Sequence, residues 1–306
     1  MTALAEPLPA RPGAWARLKA GRTLPLATVL GVVLVIWYLG SLWLNAPAAV
    51  ERLNRAGPDW TTSQFVGAIW ALDRPLLPTP DQVAVDLWKS TVERPVTSNR
   101  SLIYHAWVTM SSTLVGFVLG TLLGILLAVG IVHVPTLDRS LMPWVIASQT
   151  VPILAIAPMI VVVLGNIGLT GVVPKSIISA YLSFFPVTIG MVKGLRSPDP
   201  LQLDLMRTYS ARGAQVFWKL RWPAAVPFLF PSLKIGISLA LVGAIVGELP
   251  TGAQAGIGAR LLTGSYFGQM IQLWSALVMA AILALLCVTA VTLTERAVIA
   301  SQGGRG

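Results

Sequence analysis

Charge is what this chain has least of. Only 11% of its 306 residues are charged, while 55% are hydrophobic; a soluble domain carries roughly 25% charged residues. That composition excludes an ordinary soluble globular protein, because too few charges remain to cover the core. Helices that face acyl chains need no charged outer surface, so lipid as the solvent removes the deficit. Cysteine is almost absent as well. A lone Cys287 excludes an intrachain disulfide and a multi-cysteine metal site. The two histidines, His105 and His133, stand at opposite ends of one apolar stretch, so no nucleophile–base pair emerges. A phosphate-cradling loop of the Gly-x-x-x-x-Gly-Lys-Ser/Thr form is also missing. No catalytic residue, no metal and no cofactor is expected.

The charge that is present leans positive, with a formal net of +10. Nucleic-acid binding is one reading of such a balance. The other is Lys and Arg retained on the cytoplasmic side of a membrane. Basic residues here sit beside apolar spans and form no run with interleaved aromatics. The second reading is taken, with a lipid bilayer and no nucleic acid as partner.

A hydrocarbon core of about 30 Å takes about 20 helical residues. The candidate spans are Leu24–Leu44, Ala106–Val132, Ser140–Leu164, Pro174–Val192, Ala225–Leu249 and Gln269–Thr294. The expected fold class is therefore an all-α membrane protein with six transmembrane helices. Leu24–Leu44 follows a basic segment as a signal peptide would, but its 21 uncharged residues exceed a signal h-region and read as a retained anchor. The short loops set orientation: Arg139 together with Lys193, Arg196, Arg207, Arg212, Lys219 and Arg221 on one side, Lys175 and Arg260 on the other. Both termini are expected in the cytoplasm. In the long outer loop, Leu77-Pro78-Thr79-Pro80-Asp81 predicts a helix start with Thr79 as cap. The helix lies at the membrane interface or in solvent.

Small residues recur every four positions at Gly116, Gly120, Gly124 and Ala128, and again at Gly236, Ala240, Gly243, Ala244 and Gly247. One helical face carries each set, so two backbones can approach closely in lipid. Pro143, Pro152 and Pro158 interrupt the third span, and every proline frees a carbonyl that must face protein or a water-filled cavity. Gln149 and Thr150 beside Pro152 are candidate pathway groups, or parts of a hydrogen-bonded kink. Lys234 and Glu248 are too far apart on one helix to pair, and each is a candidate pathway group or a structural charge near a span end.

Between the fourth and fifth spans lies a polar loop that reads as a helical hairpin. Leu203, Met206 and Ser210 follow one face; Val216, Phe217 and Leu220 follow another. Gly213 is expected to make the turn with positive φ, and Pro223 to stop the second helix. A short amphipathic element of this kind suits docking into a partner's groove.

Gly213-Ala214, the helix after it and Pro223-Ala224-Ala225 with Pro227 resemble the signature loop of permeases in bacterial ATP-binding-cassette importers. Pro78-Thr79-Pro80, the Gly116/Gly120/Gly124 series, Pro152 and Pro158, Phe185-Pro186, Val246-Gly247-Glu248-Leu249 and Gly256-Ile257-Gly258 follow in the order of the nitrate/sulfonate/taurine branch. The resemblance covers roughly residues 77–295. It implies a type I importer permease bundle that hydrolyses no ATP itself, the nucleotide being bound by two cytoplasmic partner subunits. Those subunits would grip a coupling loop, 194–223, through Asp204, Arg207, Ser210, Gly213, Ala214, Phe217 and Pro223. A second permease copy, as a homodimer, and a periplasmic solute-binding protein complete the implied assembly in the inner membrane.

In the family an acid and two alanines precede the loop glycine; here Arg207, Thr208 and Tyr209 occupy those places, and Asp204 is the nearest acid. The implied domains are a cytoplasmic segment 1–23, a first helix 24–44, a periplasmic loop 45–104 with a short interfacial helix, a five-helix core 105–296 and a cytoplasmic tail 297–306. The implied solute is a sulfonate, a nitrate-like anion or a pyrimidine or vitamin precursor. Tyr209-Ser210-Ala211 and Phe228-Leu229-Phe230-Pro231 tilt that choice towards the pyrimidine type. A secondary carrier would need more ionisable groups at mid-membrane than Lys234 and Glu248; a non-transporting scaffold is the remaining rival.

Overall fold

The computed structural model describes residues 23–57, 59–249 and 255–301. The expectations for segments 1–22, 250–254 and 302–306 lie outside the described residues. Every regular element among the described residues is helical. In chain order these are α1 (Thr23–Ala56), α2 (Thr62–Trp70), α3 (Pro80–Trp88), α4 (Leu102–His133), α5 (Pro135–Ala147), α6 (Ile153–Asn166), α7 (Val172–Leu195), α8 (Pro200–Thr208), α9 (Gly213–Val216), α10 (Trp222–Glu248), α11 (Ile257–Tyr266) and α12 (Met270–Ser301). Among the described residues five continuous stretches are long and apolar enough to cross a bilayer: α1, α4, α7, the run Gly213–Glu248 and α12. The pair α5 and α6, bent by 99°, passes the same test only when taken together, as a broken span or a re-entrant loop.

That bend is where the sequence expects one span, Ser140–Leu164. Pro143 lies inside α5, Pro152 caps α6 and Pro158 lies inside it. Ser148 Oγ donates to the Val145 carbonyl at 2.7 Å and Thr150 Oγ1 to the Ala147 carbonyl at 2.8 Å. From α7, Tyr181 Oη donates to the Ser148 carbonyl at 2.6 Å. Local hydroxyls and a neighbouring helix thus satisfy the carbonyls at the break, as a bilayer requires.

The chain forms two compact units that divide after Ala84, within α3. In the first, α1 runs on past Leu44 to Ala56, and its own side chains hold a returning strap. Trp37, Ser41 and Asn45, one turn apart, donate to the carbonyls of Pro78 at 2.9 Å, Leu77 at 3.0 Å and Leu77 at 2.7 Å respectively. Asn45 Oδ1 also accepts the Leu76 N–H at 2.7 Å. The short helix expected at Pro80 is present as α3, where Gln82 Oε1 accepts the Thr79 N–H at 3.1 Å. α2 was not expected, although Thr61 and Gln64 form a capping box at its start, a sequence signal in its own right.

The second unit is built on α7, which lies between α4 and α10. Both glycine series face it. A Cβ on Gly124 would come within 2.8 Å of the Phe184 carbonyl, and one on Gly243 within 2.8 Å of Ser179 Cα. Gly116 and Gly120 meet Ser176, Ser179, Ala180 and Ser183 in the same way. α7 presents serines to α4 and admits α10 at its own Gly194, where Ala225 Cα lies 2.8 Å from a notional Cβ. Three backbones close enough to touch make a rigid slab, the result expected of small residues in lipid. α12 packs on α10 through Val226, Phe230, Ile237, Cys287 and Val291.

Candidate functional site

The hairpin between α7 and α10 is built from local hydrogen bonds. Asp199 caps α8, its carboxylate accepting the Leu201 N–H at 2.8 Å, and Pro200 fills the first turn. At the other end Ser210 has φ 52°; its N–H donates to the Arg207 carbonyl at 2.8 Å, and that of Ala211 to the Met206 carbonyl at 3.0 Å. This pair of bonds closes a helix with a left-handed residue, usually glycine. The left-handed turn is therefore at Ser210, which corrects the expectation for Gly213. Gly213 instead opens α9, behind an Arg212 N–H that donates to Gln215 Oε1 at 2.8 Å.

Pro223 does not stop the second arm either. α9 passes through a π-helical turn, Phe217–Arg221, straight into α10. The Trp222 N–H donates back to the Phe217 carbonyl across that wider turn, which absorbs the proline without a break. Arm and transmembrane helix are one continuous rod.

The root of the hairpin is fixed to the slab. Phe217 packs edge-on against His133 at the end of α4, with ring centroids 5.5 Å apart, and touches Trp218 and Trp222. Arg221 Nη1 donates to the Leu195 carbonyl at the end of α7 at 2.8 Å. The tip is the opposite. Leu205 and Tyr209 stand exposed there, Tyr209 by 76%, and Leu201 and Trp218 are exposed on the two arms nearer the root. Asp204 pairs with Arg207 at 2.8 Å, both solvated. Gly213 and Ala214 are exposed, and nothing lies within 4 Å of a Cβ built on Gly213.

The four pathway candidates lie in three separate places. Gln149 and Thr150 are exposed at the break between α5 and α6. Lys234 of α10 pairs with Glu295 of α12 at 2.5 Å. Glu248 is fully buried near the other end of α10. Its carboxylate lies 3.0 Å from Thr109 Oγ1, accepts the Gly258 N–H at 2.8 Å and has Lys175 Nζ at 3.6 Å. Around it the start of α11 is tied down residue by residue. The Gly256 N–H donates to His105 Nδ1 at 2.9 Å, the Ile257 N–H to Thr109 Oγ1 at 2.8 Å, and Lys175 Nζ to the Ala255 carbonyl at 3.2 Å. Gly256, at φ 125°, leaves no room for a Cβ, which would fall onto the Glu248 carboxylate.

Glu295 and Lys175 were not singled out as partners in the sequence. Their signal was available: a lysine inside an apolar span requires an acid nearby, and Glu295 directly follows the last span.

Residues 120–300 match the family described as binding-protein-dependent transport system inner membrane component. A probable ABC transporter permease of Haemophilus influenzae is 29% identical over 214 residues, covering 70% of this chain and 82% of that protein. The formylaminopyrimidine transport permease ThiX of Halalkalibacterium halodurans is 33% identical over 184 residues, 60% of this chain and 68% of its own. A putative aliphatic sulfonates transport permease, SsuC of Bacillus subtilis, is 25% identical over 233 residues, 76% of this chain and 80% of its own. A hairpin rooted in a glycine-packed helical slab, in a chain with this match, leads to one conclusion: the protein belongs to the binding-protein-dependent inner-membrane permeases, the multi-pass, non-catalytic subunits of ATP-binding-cassette importers whose ATPase is a separate partner.

Proposed function

We propose that two copies of this permease pair about one pathway and that each offers its hairpin, residues 200–221, to one cytoplasmic ATP-binding subunit. The observation that carries this reading is the hairpin's division of labour: an exposed apolar tip on a root bonded to α4, α7 and α10. An apolar tip in water favours a partner's groove, and a root continuous with a transmembrane rod passes on any movement of that groove. ATP closing its two subunits would tilt α10 and the slab, exchanging inward for outward access. ATP stays with the partner, and the permease needs no cofactor. Gly213 and Ala214 leave space for close approach, Ser210 shapes the turn, and the Asp204–Arg207 pair supplies the charge the partner meets.

The segment 105–296 acts as the permease core, with both termini in the cytoplasm. An external binding protein delivers a small polar solute of the kind its relatives are named for, a sulfonate or a pyrimidine precursor. Gln149 and Thr150 at the bend are the pathway groups this reading favours, with Lys234 and Glu248 holding helices in place.

Gly213→Val tests the docking. The purified variant should insert and fold as the parent but lose co-purification of the ATP-binding subunit; undiminished co-purification would refute the docking role. Vanadate-sensitive uptake by the reconstituted complex tests the drive, and uptake that persists without the ATPase would refute it. For orientation, single cysteines Gln215→Cys and Tyr266→Cys in a Cys287→Ser background should label from opposite sides, Gln215→Cys from the cytoplasm.

A further inference from the structure

A cavity of about 330 Å³ is lined by Arg94, Arg100, Arg260, Gln269 and Gln272. Its volume falls within the range of about 300–1,000 Å³ typical of small-ligand sites, but its lining is unlike most of them. Every side chain is polar and three are guanidinium groups.

The three arginines come from separate parts of the fold. Arg94 ends the turn after α3, Arg100 lies two residues before α4 and Arg260 lies in the first turn of α11, while Gln269 and Gln272 stand at the start of α12. Arg94 and Arg100 are exposed; Arg260 is half-buried. Among the described residues none of the three forms an ion pair, although other charges in this unit do: Arg196 with Asp138, Arg207 with Asp204, Lys234 with Glu295. Burial lowers the pKa of Arg260 below its ordinary value; the Asp86 carboxylate opposes this and the Arg94 guanidinium adds to it. The group remains a cation at neutral pH, so the cavity gathers three positive charges that no acid at contact distance neutralises.

From this convergence we infer that the cavity is a binding site for one small oxyanion, a sulfonate, sulfate or carboxylate group. Guanidinium forks match the two oxygens of such a group in pairs, and the glutamine amides add neutral donors. Nothing in the sequence patterns points here, since the five residues are scattered from 94 to 272. Arg100 stands at the N-terminal end of α4, whereas the hairpin packs on His133 at the C-terminal end. The cavity therefore opens at the end of the slab away from the hairpin. On the orientation proposed above that end is external; the binding itself does not rest on that reading.

Titration of the purified full-length permease, in neutral detergent at constant ionic strength, tests the site. Sulfate and methanesulfonate should bind saturably and raise the thermal transition, with chloride as the control. Replacing the two exposed arginines, Arg94→Gln with Arg100→Gln, should weaken binding about tenfold or more while leaving the anion-free transition unchanged. Arg260→Gln should do the same if it folds; the exposed pair keeps the test valid if it does not. A second arm adds solute-free binding protein. Displacement of methanesulfonate assigns the site to a carboxylate on that protein, and undisturbed binding assigns it to free solute. Absence of saturable binding by either anion, or full affinity in the double variant, would overturn the inference, with the hairpin's role untouched.

Discussion

Thr109 and Glu248 lock α4 to α10 through one hydroxyl. Thr109 Oγ1 lies 3.0 Å from each Glu248 carboxylate oxygen and accepts the Ile257 N–H at 2.8 Å. One side chain thus joins three helices at a point where Glu248 is wholly buried and Lys175 supplies the balancing charge.

Because the carboxylate compensates a buried lysine, removing it should cost more than the bonds it makes. Breaking one partner of a buried ion pair typically destabilises by about 3–5 kcal/mol. Glu248→Ala should lose stability on that scale, measured by thermal unfolding of the purified permease. Thr109→Val keeps both charges and should lose only about 1–3 kcal/mol. Equal losses in the two variants would contradict the ion-pair account.

Gly256 tests the same knot from the other side. Its φ of 125° disfavours any L side chain, and a Cβ would occupy the space of the Glu248 carboxylate. Gly256→Ala must therefore expel the carboxylate or move the start of α11, and the yield of folded permease should fall sharply. Pairing it with Glu248→Ala should recover part of the loss by freeing that space.

The glycine series makes a graded prediction. Gly243→Ala places its Cβ 2.8 Å from Ser179 Cα; backbone cannot yield as a flexible side chain can, so a loss of about 1–3 kcal/mol is expected. Gly31→Ala in α1, with nothing within 4 Å, should be neutral or gain up to about 1 kcal/mol from helix propensity. Unfolding temperatures of the two variants, measured side by side, check the contrast.

What the sequence disclosed follows from the range of the forces involved. Spans are set by runs of apolar residues and glycine faces by a four-residue repeat, both local, so α4, α7, α10 and α12 were legible as spans, and α4 and α10 together with their packing faces. α11 was not, because its first N–H groups are satisfied by His105, Thr109 and Glu248 from distant helices and no local cap announces it. The bend between α5 and α6 was half legible: its prolines show a break, but 99° depends on which hydroxyls reach the freed carbonyls. In the hairpin the element was legible and its turn was not. Left-handed backbone is usually assigned to glycine, and here two helix-ending hydrogen bonds hold a serine in it. The cavity at Arg94, Arg100 and Arg260 depends wholly on tertiary structure.

Lys234 and Glu295 allow a double-mutant cycle across α10 and α12. Their side chains are only 30% and 20% exposed, at 2.5 Å. Lys234→Met alone should destabilise by about 1–3 kcal/mol, since it strands a largely desolvated carboxylate. Lys234→Met with Glu295→Leu removes both charges and should recover most of that loss. Recovery with uptake intact would make the pair a structural clasp; recovery with uptake abolished would place the charges in the solute's path.

The last test concerns Ser210. A non-glycine residue held in left-handed backbone costs roughly 1–2 kcal/mol relative to glycine, and φ 52° at Ser210 carries that cost in an exposed turn. Ser210→Gly should stabilise the end of α8, slowing amide exchange at Ser210 and Ala211, whose N–H groups close the turn. The direction of the effect on transport separates two roles for the turn. If the hairpin works as a rigid connection, firmer closure should leave ATP-driven uptake unchanged or raise it. If the turn must open as the ATP-binding subunits cycle, uptake per ATP hydrolysed should fall although the hairpin is more stable. Unaltered amide exchange in the variant would show that the serine carries no strain.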